Sequence, residues 1–159
     1  MKQVILVIVI IFFITGCSKK ESLEDGFLNI PWGTTWLSAT RALEEQGFIM
    51  GRFSERDDSI DFQFFSGKMF GYDSDLDFSF YNNKFYAASC FLEITNEKDF
   101  QILIRTLTRK YGKPSSERED NIIWRSESVL MSMLSLYPEF NTINIMYINS
   151  DLSPTQKQE

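Results

Sequence analysis

The order of apolar and polar residues predicts two amphipathic helices, the first of them early in the folded region. Thr34 or Thr35 is placed to accept a backbone N–H bond as the N-cap of this helix. Gly47 ends it, and Phe48 is placed to pack back against it. The face predicted to be buried consists of Trp36, Ala39, Thr40 and Leu43.

The second predicted helix is marked at both ends. Asn96 and Asp99 resemble a capping box, in which side chains three positions apart satisfy backbone N–H groups. Gly112 and Pro114 end the helix. Its apolar face repeats with helical period at Phe100, Leu103, Ile104, Leu107 and Tyr111.

Six further segments have the alternation or the aromatic and β-branched content of strands. They are residues 60–65, 76–81, 84–94, 121–125, 129–137 and 142–148. We therefore predict an α+β domain: a largely antiparallel sheet of about six strands, with two helices on one face and the other face partly open. Because both helices end at a glycine, Gly47 or Gly112, and are followed by strands, an internal repeat of helix plus strands is also possible.

The hairpin at Asn82 and Asn83 leaves the register of its two strands open. Asparagine tolerates the positive φ of a two-residue turn, which would place Phe85 and Ala87 beside Phe80 and Phe78. A three-residue loop would instead place Tyr86, Ala88 and Cys90 on that face. The register therefore decides whether Cys90 is buried.

The N-terminus has the organisation of an export signal. Met1-Lys2-Gln3 carries one positive charge, and the apolar run of residues 4–14 is too short to cross about 30 Å of hydrocarbon as a helix. The run ends in Ile14-Thr15-Gly16-Cys17, which resembles the lipobox of bacterial lipoproteins. The resemblance implies that residues 1–16 are a cleaved signal peptide and that Cys17 becomes the acylated first residue of the mature protein.

This resemblance also implies a domain organisation and a location. Residues 17–26 are expected to form the lipidated N-terminus and a polar tether, residues 27–149 a single α+β domain, and residues 150–159 a disordered tail. Two or three acyl chains on Cys17 would hold the protein to the membrane far more firmly than one. Enterobacterial relatives kept at the inner membrane have aspartate where this chain has Ser18, so the periplasmic leaflet of the outer membrane is favoured.

The net charge and the cysteine content exclude some classes of partner and of chemistry. Of the 16 basic residues the signal removes only Lys2, so the mature chain has 15 against 22 acidic ones, a net charge of −7. Such a surface repels nucleic acid, which is excluded as a partner. Once Cys17 is acylated, Cys90 has no cysteine to pair with, and its apolar strand favours a buried, inert thiol.

The chain contains no histidine, which removes histidine-based catalytic triads and zinc sites and argues against an enzyme. Asp73, Asp75 and Asp77 have the spacing of a calcium loop, but Phe78 and Lys84 stand where that loop requires glycine and glutamate. We therefore expect no metal and no cofactor. Two acidic clusters could serve a glycan-active enzyme, although their turn-like surroundings favour simple solvation: Asp57, Asp58 and Asp61, and Glu117, Glu119 and Asp120.

Two features are candidates for partner binding. Trp32 lies in an extended segment beside Pro31, and an exposed tryptophan is a common interface anchor. The second helix ends in basic residues, Arg105, Arg109 and Lys113, which could contact anionic lipid or a protein. Cations there also stabilise the helix dipole, which explains them without a partner.

Part of the chain resembles small envelope lipoproteins of the BamE/SmpA type. The similar residues are Gly33-Thr34-Thr35, Ala39, Leu43 and Gly47 around the first helix, and Tyr111-Gly112-Lys113-Pro114 after the second. Those proteins have two helices on a small antiparallel sheet and assist the machinery that inserts outer-membrane barrels. The number of strands here fits a tandem version better, as in folds of the β-lactamase inhibitor protein type.

These patterns give a leading hypothesis and two alternatives. The leading one is a lipid-anchored envelope lipoprotein without catalytic activity that binds a protein partner through the open sheet face or a sheet edge. The alternative is a protein that binds an apolar or amphipathic ligand on a Phe-rich sheet. A glycan-active enzyme is the third and weakest possibility.

The lipobox predicts the outcome of a labelling experiment. Cells producing the wild-type chain and fed radioactive palmitate should yield a labelled mature protein, because the thiol of Cys17 accepts the lipid. The Cys17→Ser variant should remain an unlabelled precursor, while Cys90→Ser should label normally. Palmitate on the Cys17→Ser variant would contradict the assignment.

Overall fold

The computed structural model describes residues 22–57, 59–118, 121–135 and 141–154, and these form an α+β domain. Helix α1 is Trp36–Glu45 and helix α2 is Glu97–Tyr111. Two short 3-10 helices, Leu23–Asp25 and Ser150–Leu152, flank the domain in sequence. In this part of the chain no helix is long and apolar enough to cross a membrane.

The described residues contain eight strands in a single antiparallel sheet. The strands are β1 Ile49–Asp57, β2 Ile60–Met69, β3 Tyr72–Tyr81, β4 Lys84–Glu93, β5 Ser116–Glu117, β6 Asn121–Arg125, β7 Val129–Ser135 and β8 Thr142–Asn149. Their spatial order is β1-β2-β3-β4-β8-β7-β6-β5, so β1 and β5 are the edges.

The α+β class and the two helices are therefore confirmed, but the expected count of about six strands is wrong. The two strands that the sequence pattern missed are β1 and β5, which are the edges of the sheet. Strand β1 contains a glycine and several charged residues without period-two alternation, because an edge strand has less apolar surface to bury. Strand β5 has two residues, too few for any pattern, and it forms through pairing with β6.

One face of the sheet is buried by both helices. Along each central strand, alternate side chains are buried on this helix-covered face, such as Leu76, Phe78 and Phe80 in β3 and Ile143, Ile145 and Tyr147 in β8. Helix α1 adds Ala39 and Leu43 to this core, and α2 adds Leu103 and Leu107. The opposite face, which we call the open face, carries the remaining side chains of the same strands.

The hairpin of β3 and β4 combines the two registers that the sequence left open. Asn82 and Asn83 both have positive φ, 49° and 59°, and they form the two-residue turn, so Phe85 pairs with Phe80. A β-bulge then shifts the register at Tyr86. Beyond the bulge Cys90 pairs with Leu76, and it is fully buried on the helix-covered face.

Both helices begin at the residues expected, but only α2 is capped by the side chain of its own N-cap residue. The Asn96 side chain accepts the Asp99 N–H at 3.0 Å and donates to the Asp99 carboxylate at 2.8 Å, at the predicted capping position. Thr35 occupies the N-cap of α1 without a side-chain cap bond. Instead Asn83, in the β3–β4 turn, accepts the Trp36 backbone N–H at 3.0 Å, so the hairpin turn fixes the start of α1.

The folded region begins earlier than Phe27, the first residue of the domain that the sequence predicts. Ser22 and Asp25 form a capping box around the first 3-10 helix, and Leu23 is buried. Glu24 accepts hydrogen bonds from the Ser128 backbone N–H and hydroxyl. These contacts hold the segment against the sheet, which the polar composition of residues 18–26 did not indicate.

The folded region also ends later than expected. The polar composition of residues 150–159 predicts a disordered tail, but the second 3-10 helix covers Ser150–Leu152 and Ser153 is buried. Asn149 accepts the Leu152 backbone N–H at 3.2 Å and thereby caps this helix. Residues 155–159 lie outside the described part of the chain.

Packing around Gly67 predicts a coupled pair of substitutions. An alanine Cβ at position 67 would lie 2.5 Å from Cδ1 of the buried Phe48 ring. We expect Gly67→Ala to lower the free energy of unfolding by about 1–3 kcal/mol, because the ring must move in a filled core. Urea denaturation measures this loss.

The control for this prediction is the same substitution made beside a smaller neighbour. In a Phe48→Val background the Gly67→Ala penalty should shrink, since valine has no atom in place of Cδ1 and Cε1 of the ring. Equal penalties in both backgrounds, or a gain in stability from the better strand propensity of alanine, would contradict this account.

Candidate functional site

The open face of the sheet exposes several apolar side chains to solvent. Phe64, Phe91 and Leu134 point to this face and are 40%, 42% and 39% exposed. Ile49, at the start of edge strand β1, pairs with Ser66 and is 70% exposed. Further apolar side chains of this face are half-buried: Ile123, Leu130, Met146 and Ile148. These apolar side chains share one face of the sheet, and apolar surface exposed on one face is a common feature of interaction sites.

Asp77 lies on the open face, in β3. It pairs across the strands with Phe64 on one side and Ser89 on the other. Its Oδ1 is buried and has no hydrogen-bond partner in the described structure. Burial raises the pKa of Asp77 to about 6, because the charged form loses hydration.

Tyr86, the bulged residue of β4, lies close to this aspartate. Burial raises the pKa of Tyr86, and the charge of Asp77 adds to the effect, while a hydrogen bond with Ser79 opposes it. The open face therefore contains a group of neighbouring polar residues, Asp77, Ser79 and Tyr86, in addition to its apolar side chains.

A groove crosses the open face at the end of the sheet that carries the β2–β3 turn. Its volume is about 440 Å³, and strands β1, β2, β3, β4 and β8 all contribute to its lining. Ile49 and Phe91 supply apolar surface, and Asp73, Asp75 and Glu93 supply carboxylates. Lys68 is also in the groove, where its ammonium lies 3.0 Å from the Asp73 carboxylate.

The three aspartates of the calcium-like spacing lie in an extended strand and not in a loop. Asp73, Asp75 and Asp77 occupy alternate positions of β3, so all three point to the open face about 7 Å apart. A calcium loop wraps its ligands around one ion, which this extended backbone does not do. In the described residues no three acidic or cysteine side chains are placed to hold a metal ion.

Only parts of the two acidic clusters can be placed. Asp61 is in β2, where it pairs with Phe80. Glu117 is exposed in the two-residue strand β5. Asp58, Glu119 and Asp120, like the lipobox and Cys17, lie outside the described residues.

The structure places the predicted partner-binding residues on the helix side of the molecule. The Trp32 ring stacks on Phe85 at 4.8 Å, and its indole N–H donates to the Leu23 carbonyl at 2.9 Å. Trp32 is half-buried and ties the N-terminal segment to the core. Arg105, Arg109 and Lys113 are exposed on and just after α2, so the sheet separates them from the open face.

The free cysteine belongs to the core and not to a site. Cys90 is fully buried, and burial raises the pKa of its thiol, with the charge of Asp75 adding to the effect. A thiol without water access and without a stabilised thiolate is unreactive. This agrees with the inert cysteine that the apolar strand predicted.

The sequence pattern does not identify Phe64, Phe91, Asp75 and Glu93 as a group. The signal was present, since alternation along β3 separates Asp75 and Asp77 from Leu76 and Phe78. It was lost in β4, because the bulge at Tyr86 changes which residues of that strand face the core.

The family of this protein is known from a match to a family model. A TP0088 domain matches residues 25–159. The chain belongs to the TP0088 domain family. The match covers both helices and all eight strands, so the open face and its groove are parts of the TP0088 domain. No curated protein and no solved structure matches the chain.

The raised pKa of Asp77 predicts how its replacement changes stability with pH. The folded chain binds the Asp77 proton more tightly than the unfolded chain does, with a pKa of about 6 against 3.8. Above pH 6 the buried charge therefore destabilises the fold, and this cost disappears as the pH falls below 4. Asp77→Asn should raise the free energy of unfolding at pH 7.5 by about 1 kcal/mol, a value reduced for the partial exposure of the side chain.

Denaturation at a series of pH values measures this effect. The gain from Asp77→Asn should shrink steadily between pH 7 and pH 4. Asp75→Asn removes one charge from an exposed position of the same strand face and serves as the control. A gain that is constant across this pH range, or equal in the two variants, would show that Asp77 is not the group responsible.

Proposed function

We propose that this protein is a lipid-anchored lipoprotein of the cell envelope, without catalytic activity, that binds a protein partner through the open face. The observation that carries the proposal is the apolar surface left on that face, with Phe64, Phe91 and Leu134 exposed in the isolated chain. A sheet face that only meets water normally alternates to polar residues at these positions.

The chemistry of the open face fits a protein interface. Aromatic side chains lose little conformational entropy on binding and bury large areas, so Phe64 and Phe91 are suited to be anchors. Polar groups lie between them, including Asp77, Ser89 and Asn144. Interfaces of non-obligate partners combine apolar anchors with such polar groups.

The lipid anchor supports a location at the envelope. We propose that Cys17 carries the acyl chains, that the mature domain faces the periplasm, and that the protein is anchored in the outer membrane, because Ser18 follows the cysteine. Ser22 already belongs to the folded domain, so the tether is shorter than the residues 17–26 that the sequence predicts. The partner would therefore meet this protein close to the membrane.

We further propose that the domain arose as a repeat of one helix and four strands. The chain order is α1 followed by β1 to β4, then α2 followed by β5 to β8. The strand order is symmetric about the β4–β8 pair, with the two first strands, β1 and β5, at the edges. This symmetry supports the repeat that the spacing of the two helix ends suggested.

The other two functions have less support. The phenylalanines that suggested a ligand pocket pack against one another in the core, as in the stacked pair of Phe78 and Phe85 at 4.6 Å. The groove is open to solvent, and Phe91 is the one aromatic residue among the described residues that line it. The residues of the two acidic clusters that can be placed give no support for a glycan-active enzyme, because Asp61 is in β2 and Glu117 in β5.

Site-specific photocrosslinking in the native envelope tests the partner proposal. A photoreactive phenylalanine analogue replaces Phe64 or Leu134 on the open face, and Leu37 or Ile102 on the helices as matched controls, since all four side chains are exposed and apolar. We expect protein adducts of discrete mass from the two open-face positions and none from the two helix positions. Mass spectrometry identifies the partner.

Two results would overturn the proposal. Adducts formed equally at all four positions would indicate contact without a specific surface. Adducts formed only at Leu37 or Ile102 would place the interface on the helices. In that case the basic residues Arg105, Arg109 and Lys113 would become the leading candidates.

A further inference from the structure

The groove on the open face differs from the rest of that face in its charge. Its ionisable side chains are three carboxylates and one ammonium, a net charge of −2: Asp73, Asp75, Glu93 and Lys68. Lys68 pairs with Asp73 at 3.0 Å. Asp75 and Glu93 have no ion pair within the described part of the chain, although both are exposed in the same groove.

Apolar side chains flank these two carboxylates. Asp75 pairs directly across the strands with Phe91, which is 42% exposed. Ile49, on the far wall of the groove, is 70% exposed. The groove therefore offers a negative charge and an apolar surface within one cavity of about 440 Å³. A peptide segment that fills the groove must therefore offer a positive charge to the carboxylates and an apolar group to the apolar surface.

We infer that the groove binds a segment of the partner protein that carries a lysine or arginine next to an apolar side chain. The inference rests on the proposed partner-binding function and names the chemistry of the partner at one place. Charge complementarity selects the basic residue, since a neutral or acidic segment would bury Asp75 and Glu93 without a countercharge. The stems of lysine and arginine also pack on apolar surface such as Phe91.

The groove lies away from the proposed lipid anchor, so a protein partner can reach the groove. Glu24, two residues into the folded domain, is bound to Ser128 in the β6–β7 turn. That turn lies at the end of the sheet where Val129 pairs with Asn149, whereas the groove lies at the other end of β8, where Thr142 pairs with Glu93. Seven residues of strand separate the two ends, about 23 Å.

Only four residues separate Cys17 from Ser22 in the sequence, and the five steps between these two residues span at most about 18 Å. The end of the sheet near Ser128 is therefore held close to the lipid, and the groove end is the one further along the sheet from the point of attachment. An acidic groove is also unsuited to an anionic lipid surface. Both points favour a protein over the membrane as its occupant.

The test uses the full-length lipoprotein in its native envelope, with a photocrosslinking residue at Ser66 in the groove wall. Three backgrounds are compared: wild type, the double variant Asp75→Asn/Glu93→Gln, and Glu44→Gln/Glu45→Gln. The last pair is exposed on α1 and makes the same change in net charge outside the groove. Thermal unfolding followed by circular dichroism confirms that all three fold.

We expect one protein adduct from Ser66, with a lysine or arginine in the crosslinked peptide of the partner. Its yield should fall about tenfold in the groove variant and less than twofold in the α1 variant, because the attraction depends on the two unpaired carboxylates. Raising the salt concentration before irradiation should lower the wild-type yield as well.

Each other outcome overturns the inference. An adduct whose peptide contains no basic residue, an adduct with lipid alone, or equal losses in both double variants would each do so. The two proposals also fail separately. Protein adducts at Phe64 or Leu134 without one at Ser66 would reject the groove and keep the open face as an interface, whereas no specific adduct at any of the three would reject both.

Discussion

The ring of Phe78 joins parts of this protein that are distant in sequence. Its centroid lies 5.6 Å from that of Phe27 in the N-terminal segment, 5.8 Å from that of Phe65 in β2, and 4.6 Å from that of Phe85 in β4. Phe27 in turn contacts Tyr147 of β8, at 4.5 Å. Each such ring pair adds about 0.5–1.5 kcal/mol to the gain from burial. The central strands and the N-terminal segment therefore share one aromatic core.

This aromatic core buries one face of the sheet and leaves the other face open. Two helices and the N-terminal segment cover the face that contains Phe78, and none of the described residues forms a third layer over the open face. Antiparallel sheets tolerate such an arrangement because side chains alternate between faces. What distinguishes this sheet is that the uncovered side retains Phe64, Phe91 and Leu134.

The bulge at Tyr86 links the core to the candidate site. Without it, β4 would keep the register set by the Asn82-Asn83 turn, and every side chain after Phe85 would change face. The extra residue places Cys90 in the core and Ser89 and Phe91 on the open face, beside Asp77 and Asp75. One inserted residue therefore brings together the aspartates of β3 and the exposed aromatic of β4. Bulges are frequent next to functional sites for this reason.

The sequence by itself determined the elements whose patterns are local: α1 and α2 with their glycine ends, the capping position at Asn96, the Asn82-Asn83 turn and the alternation along β3. It also determined the negative charge and the lack of histidine, and it predicts the lipid anchor. Only the tertiary structure decided the edge strands β1 and β5, the cap of α1, in which the Asn83 side-chain oxygen accepts the Trp36 backbone N–H, and the packing of residues 22–26. It also decided that Trp32 belongs to the helix side and that Asp75, Glu93 and Phe91 share a groove. The physical reason is that these features depend on contacts between residues far apart in the chain, whereas a sequence pattern records only what neighbours along the backbone require.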